Sequence, residues 1–282
     1  MKNNHNKKQF YWNHILTYAA LSFGLLLFHT LWDNALIGLI VGLILFFLIL
    51  DREQITLFKH LSQFKFRNLW YLLPVLLEWL IAFPLQFWVL GTTNWDKLSN
   101  VGTQAILIGL PMQLLSNFRE EIATSFCWLM IAFLVMRLLK VTQVEKRHLK
   151  TTIVILAFLF ALGHFSNVII FATHPTLDLT TKIFGAAFVL VNAFILGLYF
   201  KTAYLKTHSI QTVLIIHFVC GLRRSLFPIT NPNLSSMTLQ QIGLEALILL
   251  PYLAATLVIW RKKWDLTDLN QVYDQIADPL AL

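Results

Sequence analysis

The chain has 282 residues, 57% of them hydrophobic and only 13% charged, with a mean hydropathy of +0.66. A water-soluble chain of this size does not carry apolar runs nearly end to end, so composition points to a polytopic membrane protein built as one domain over residues 1–282. The net charge of +8 is gathered in a few short segments. That pattern fits topology signals and anionic headgroups, not nucleic acid. Cys127 and Cys220 both fall in apolar stretches and form no framework of paired spacings.

In chain order, the polar, basic stretch Met1–Lys8 precedes an apolar run, Ile15–Leu31, read as an uncleaved first helix because the run is long and lacks a small-residue cleavage site. Further apolar runs follow at Ala35–Leu50, Leu69–Leu90, Gln104–Leu139, Thr151–Ala172, Lys182–Phe200, Ser209–Leu222 and Gln241–Trp260. The run Gln104–Leu139 is too long for one simple span and contains Pro111. It is read as an interfacial or re-entrant piece up to Asn117 followed by a true span, Arg119–Leu139. The expectation is an all-α bundle of about eight transmembrane helices, since a span takes roughly 20 residues.

Positive charge sets the orientation. With a cytoplasmic N-terminus, Lys2, Lys7 and Lys8, Arg52–Arg67, Arg137–Lys150, Lys201 and Lys206, and Arg261–Lys263 all fall inside. The outer loops hold little beyond Lys97, Lys182 and the exception of Arg223 and Arg224. Both termini are therefore expected in the cytoplasm. By helical rise, Glu121 then lies about 24 Å from Arg137, His164 about 21 Å from Lys150 and His217 about 16 Å from Lys206. Polar groups from three helices thus reach a similar depth.

An ionisable group inside a bilayer costs at least a few kcal/mol, so these positions are functional candidates. Glu120 and Glu121 begin a span; read blandly, they are acids favourably placed at a helix start. His164 follows Gly163, which would let another backbone approach, and shares a face with Asn167 at i+3. His217 stands in a third apolar run. Either histidine alone could be a hydrogen-bonded core residue; together with an acid at matched depth they outline a hydrolytic centre. Glu120, His164 and His217 could equally hold a zinc ion with one open position. Glu78 reads as a structural acid paired across helices, His29 as interfacial, and Asn192 and Gly197 as packing and hydrogen-bonding positions. Trp70, Trp88 and Trp95 read as belt anchors.

The segments Glu120-Glu121-Ile-Ala-Thr-Ser125, Phe160-Ala-Leu-Gly-His164 and His217-Phe-Val-Cys-Gly221, with Gly197–Leu205 leading into the last, resemble the CAAX-protease and bacteriocin-processing (CPBP, or Abi) family of intramembrane endopeptidases. The resemblance covers roughly residues 104–221. Its pattern is EExxxR, then FxxxH, then HxxxN or HxxxD, so Ser125 stands where the family has arginine and Gly221 where it has asparagine or aspartate. The resemblance implies that Glu120 activates a water, His164 helps bind it, His217 stabilises the oxyanion and Glu121 supports them. Ser125 and Phe160 occupy supporting motif positions, and Asn167 is a stand-in donor for the missing side chain at 221. It also implies a membrane-embedded or lipidated peptide or protein as substrate and a bacterial cell membrane as setting. A non-catalytic bacteriocin self-immunity protein on the same fold is the competing reading. A proton-relay transporter using Glu78, Glu121 and His164 fits less well, because no inverted repeat is evident.

Overall fold

Apolar runs become helices throughout, as they must where no water is available to hydrogen-bond the backbone. The computed structural model describes residues 2–28, 35–50, 52–90, 110–226 and 239–277, and no strand occurs among them beyond an isolated bridge between Ser62 and Ser209. The first part of the chain forms α1 (Lys2–Phe28), α2 (Ala35–Ile49), the short surface helix α3 (Arg52–His60), a 3-10 turn over Phe66–Leu72, and α4 (Leu73–Leu90). Next come α5 (Leu110–Glu121), a π-helical turn over Ile122–Cys127, α6 (Trp128–Leu138), α7 (Lys146–Gly163) and α8 (Phe165–Thr173). The chain continues through α9 (Leu179–Thr207), α10 (Ile210–Leu226), α11 (Leu239–Ile248), α12 (Leu250–Arg261) and α13 (Thr267–Ala277).

The molecule is thus an all-α membrane bundle. Leu110–Leu138, Leu179–Thr207 and Ile242–Arg261 are each long and apolar enough to cross a bilayer, and the bent pair α7 and α8 makes a fourth. Ile37–Ile49 and Ile210–Leu222 are apolar but shorter, so the described residues stop short of the expected eight spans.

Several expected boundaries move. Pro111 does not split the long run: it sits in the first turn of α5, where proline costs no hydrogen bond, and helix continues from Leu110 through Asn117 to Leu138. The piece up to Asn117 is therefore part of the span; residues 104–109 lie outside the described residues, as do His29, Leu31, Trp95 and Lys97. The run Thr151–Ala172 is not straight but bends by 44° at His164. Gly163 is not a packing position, since a Cβ there would meet nothing within 4 Å. Lys201 does not lie in a basic loop, because α9 extends beyond it to Thr207 and buries it completely.

α9 is the central element, packed against α7, α8, α10, α11 and α12. Its close approach to α7 depends on Gly197, where a Cβ would come within 3.1 Å of the Ala157 backbone and of the Phe160 ring. Tyr199, Phe200 and Tyr204 of α9 are fully buried, as are Phe126 and Phe133 in the same apolar core. Glu78 behaves as a cross-helix structural acid: it is fully buried, and Tyr252 of α12 donates a hydrogen bond to its carboxylate.

The basic segments share one face. Arg137 pairs with Asp274 at 2.8 Å, Lys146 donates to the Lys262 carbonyl, and Lys206 donates to the Lys263 carbonyl. The Leu61 carbonyl accepts from the Ile210 N–H. This is the grouping that the charge bias requires of segments on one side of a membrane.

Candidate active site

On α5, Gln113, Asn117 and Glu121 recur every four residues and therefore share a face. That face meets α10, where His217 and Gly221 have the same spacing. Glu121 lies opposite His217, and Gln113 lies opposite Gly221. Directly after Glu121 the helix widens into the π-turn, every residue of which is buried. Such turns are frequent at functional sites. Here the widened turn presents Thr124 and Ser125 to one partner on α9.

That partner is Lys201. Its ammonium donates to Glu121 Oε2 at 3.0 Å, Thr124 Oγ1 at 2.7 Å and Ser125 Oγ at 2.8 Å, which uses all three of its donors. It also lies 5.0 Å over the Phe160 ring. Ser125 Oγ in turn donates to Glu121 Oε2 at 2.6 Å. Lys201 and Glu121 are both fully buried. A charge so placed is tolerable only when paired and hydrogen-bonded, and each satisfies the other.

The second Glu121 oxygen, Oε1, accepts from His217 Nδ1 at 2.9 Å. A carboxylate can only accept, so Nδ1 carries the proton and the ring is held in one orientation with Nε2 unclaimed by Glu121. The same logic applies to His164, whose Nδ1 lies 3.0 Å from the Phe160 carbonyl. The bend between α7 and α8 occurs at His164 itself, the residue that ends one helix and begins the next.

His164 and His217 line one cavity of about 180 Å³, together with Phe160, Asn167, Asn192 and Gly221. That is room for several waters, and the polar groups around it could hold them. Of the residues expected in the site, the structure brings His164, His217, Phe160 and Asn167 to the cavity wall. Glu121 and Ser125 lie directly behind His217. Glu120 is half-buried beside them and is not among the residues lining the cavity; its backbone carbonyl accepts from Thr124 Oγ1 at 2.8 Å. Among the described residues no three His, Cys, Asp or Glu side chains converge as a metal ion would need. Glu120, His164 and His217 as arranged therefore do not fit a zinc set.

Residues 103–222 match the family model of the type II CAAX prenyl endopeptidases, Rce1-like. That stretch is therefore similar to the Rce1-like family, one of CAAX-type intramembrane proteases. Neither a curated protein nor a solved structure matches the chain. The matched residues include α5, all of the buried π-turn, both cavity histidines and Lys201.

Sequence reasoning misses two features of this region. Lys201 reads from charge alone as a loop cation, although aromatic and apolar residues continue past it to Leu205, the signal that the helix has not ended. Gln113 and Asn117 were not singled out, although both share a face with Glu121. A Cβ at Gly221 would overlap Gln113 Nε2 and lie 3.8 Å from Asn117 Nδ2, so the space a side chain at 221 would take is filled by an amide from α5. Asn117 is 7% exposed, and its Nδ2 has no hydrogen-bond partner among the described residues.

Proposed function

We propose that the protein is an intramembrane endopeptidase that hydrolyses a membrane-embedded or lipidated peptide or protein segment at the cavity shared by His164 and His217. The observation that carries this reading is the buried chain Lys201–Glu121–His217. It fixes one imidazole by its Nδ1 and presents the ring to a water-sized cavity with a second, similarly anchored imidazole on its wall. A buried ion pair behind an imidazole at a cavity wall is the kind of support that holds a reacting group in place.

In the proposed reaction a water held at the cavity attacks the scissile carbonyl carbon. Glu120, which stands off the cavity wall, accepts its proton through a second water, in the role the family resemblance gives it, and later returns it to the leaving amine. Glu121 is paired with Lys201 and is therefore assigned support: accepting from Nδ1–H, it holds the His217 ring at the cavity wall, in the oxyanion-stabilising role the resemblance gives that histidine. His164 holds the water. The Gln113 and Asn117 amides stand where the family's side chain at 221 would be and supply the polar group that Gly221 lacks.

The two departures from the family pattern are thus compensated by residues from neighbouring helices, which favours an active enzyme over a purely binding immunity protein. The test is turnover on a membrane-peptide library by purified protein. Glu120→Gln and His164→Ala should each lower the rate by roughly a hundred- to ten-thousand-fold. Full biological activity of the Glu120→Gln, His164→Ala double variant at normal protein level would rule out catalysis.

A further inference from the structure

Sharing no lining residue with that cavity, a groove of about 1050 Å³ opens between α4 and α12. Its two walls carry matched apolar stripes at four-residue spacing. Leu73, Leu77 and Ile81 come from α4, and Leu250, Ala254 and Val258 from α12. Each stripe runs about 12 Å along its helix. Leu73, Leu77, Leu250 and Val258 remain exposed. The mouth lies at the basic face, where Lys65, Arg67, Lys206 and Lys262 gather with His208, Asp265 and Asp268.

Both carboxylates already have partners: Asp268 lies 3.3 Å from His208 Nδ1, and Asp265 accepts from the Thr267 N–H at 3.1 Å. Lys206 spends one donor on the Lys263 carbonyl. With four cations against these two carboxylates, the net charge at the mouth is positive. Apolar helix surface is ordinary in a membrane protein. A concave pair of stripes whose cations, among the described residues, gather at one end is not, and its size is that of a small-molecule site.

We propose that this groove binds one anionic phospholipid from the leaflet on the basic side. Its acyl chains lie between the stripes of α4 and α12, and its phosphate sits among Lys65, Arg67, Lys206 and Lys262. The site is independent of the proposed peptidase reaction. Each cation near an anionic headgroup contributes about fivefold in affinity, so three together give on the order of a hundredfold.

The experiment is native mass spectrometry of the full chain in detergent, titrated with dioleoyl phosphatidylglycerol or dioleoyl phosphatidylcholine. One phosphatidylglycerol should be retained in preference to phosphatidylcholine. Lys65→Gln, Arg67→Gln and Lys262→Gln together should weaken it on the order of a hundredfold. Removing the same charge at exposed positions away from the groove, by Lys7→Gln, Lys8→Gln and Lys140→Gln, should leave binding unchanged. Ala254→Trp, which fills the groove between the stripes, should abolish retention. Equal binding of the two lipids, equal loss in the distant charge variants, or retained lipid in a folded Ala254→Trp protein would each overturn the proposal.

Discussion

Replacing Lys201 by methionine removes the cation and its three hydrogen bonds while keeping most of the side chain's volume. Glu121 is then left fully buried, with His217 and Ser125 as its remaining partners. Breaking a buried ion pair on one side costs roughly 3–5 kcal/mol, because the surviving charge is uncompensated. At about 2–4 °C per kcal/mol, the melting midpoint in detergent should fall on the order of 10 °C. The double variant Lys201→Met, Glu121→Gln removes both charges and should recover much of that loss, since a neutral pair of similar shape carries no stranded charge. Lys201→Met with Ser125→Arg, which returns a cation to the family's position, should recover part of it as well. The assay is thermal unfolding of all variants, read as a double-mutant cycle. A Lys201→Met protein within about 0.5 kcal/mol of the parent, or a double variant no more stable than the single, would mean that the ion pair does not hold the site together.

Further outcomes follow from the same geometry. Gly221→Asn should be accommodated only if the Gln113 amide swings away. In the Gln113→Ala background turnover should equal or exceed that of Gln113→Ala alone, whereas a fall in that background would show that the amide at this point is structural. Tyr252→Phe removes the donor to the buried Glu78 carboxylate and should destabilise by about 1–3 kcal/mol in chemical denaturation; a change below 0.5 kcal/mol would indicate another partner for Glu78. Gly197→Leu drives a side chain into the Ala157 backbone and the Phe160 ring and should cost at least roughly 1–3 kcal/mol, displacing α7 and with it His164. Orientation is checked by a single cysteine at Gln143 in a protein lacking Cys127 and Cys220. Labelling only from the cytoplasmic side is expected, and labelling only from outside would reverse the topology.

Hydropathy, the pair of acids within an apolar run and the two histidines in later ones were legible because each depends on local sequence, although the acids lie inside the span Leu110–Leu138 and not at its start. A run of apolar side chains is expelled from water wherever its neighbours end up, and helical rise converts position into depth. Motif spacing identified Glu120, Glu121, Phe160, His164 and His217 on the same footing, and the structure sets His164, Phe160 and His217 around one cavity with Glu121 behind. Tertiary structure decided which groups meet. Whether a lysine at the end of an apolar run reaches water or turns inward depends on a carboxylate eighty residues away in the chain, so Lys201 could not be told from a loop cation. Likewise Gly163 looked like a packing residue and faces open space, whereas the unremarked Gln113 occupies the position that Gly221 vacates. Burial of a charge and filling of a gap are properties of pairs of helices, and the sequence of one helix does not contain its partner.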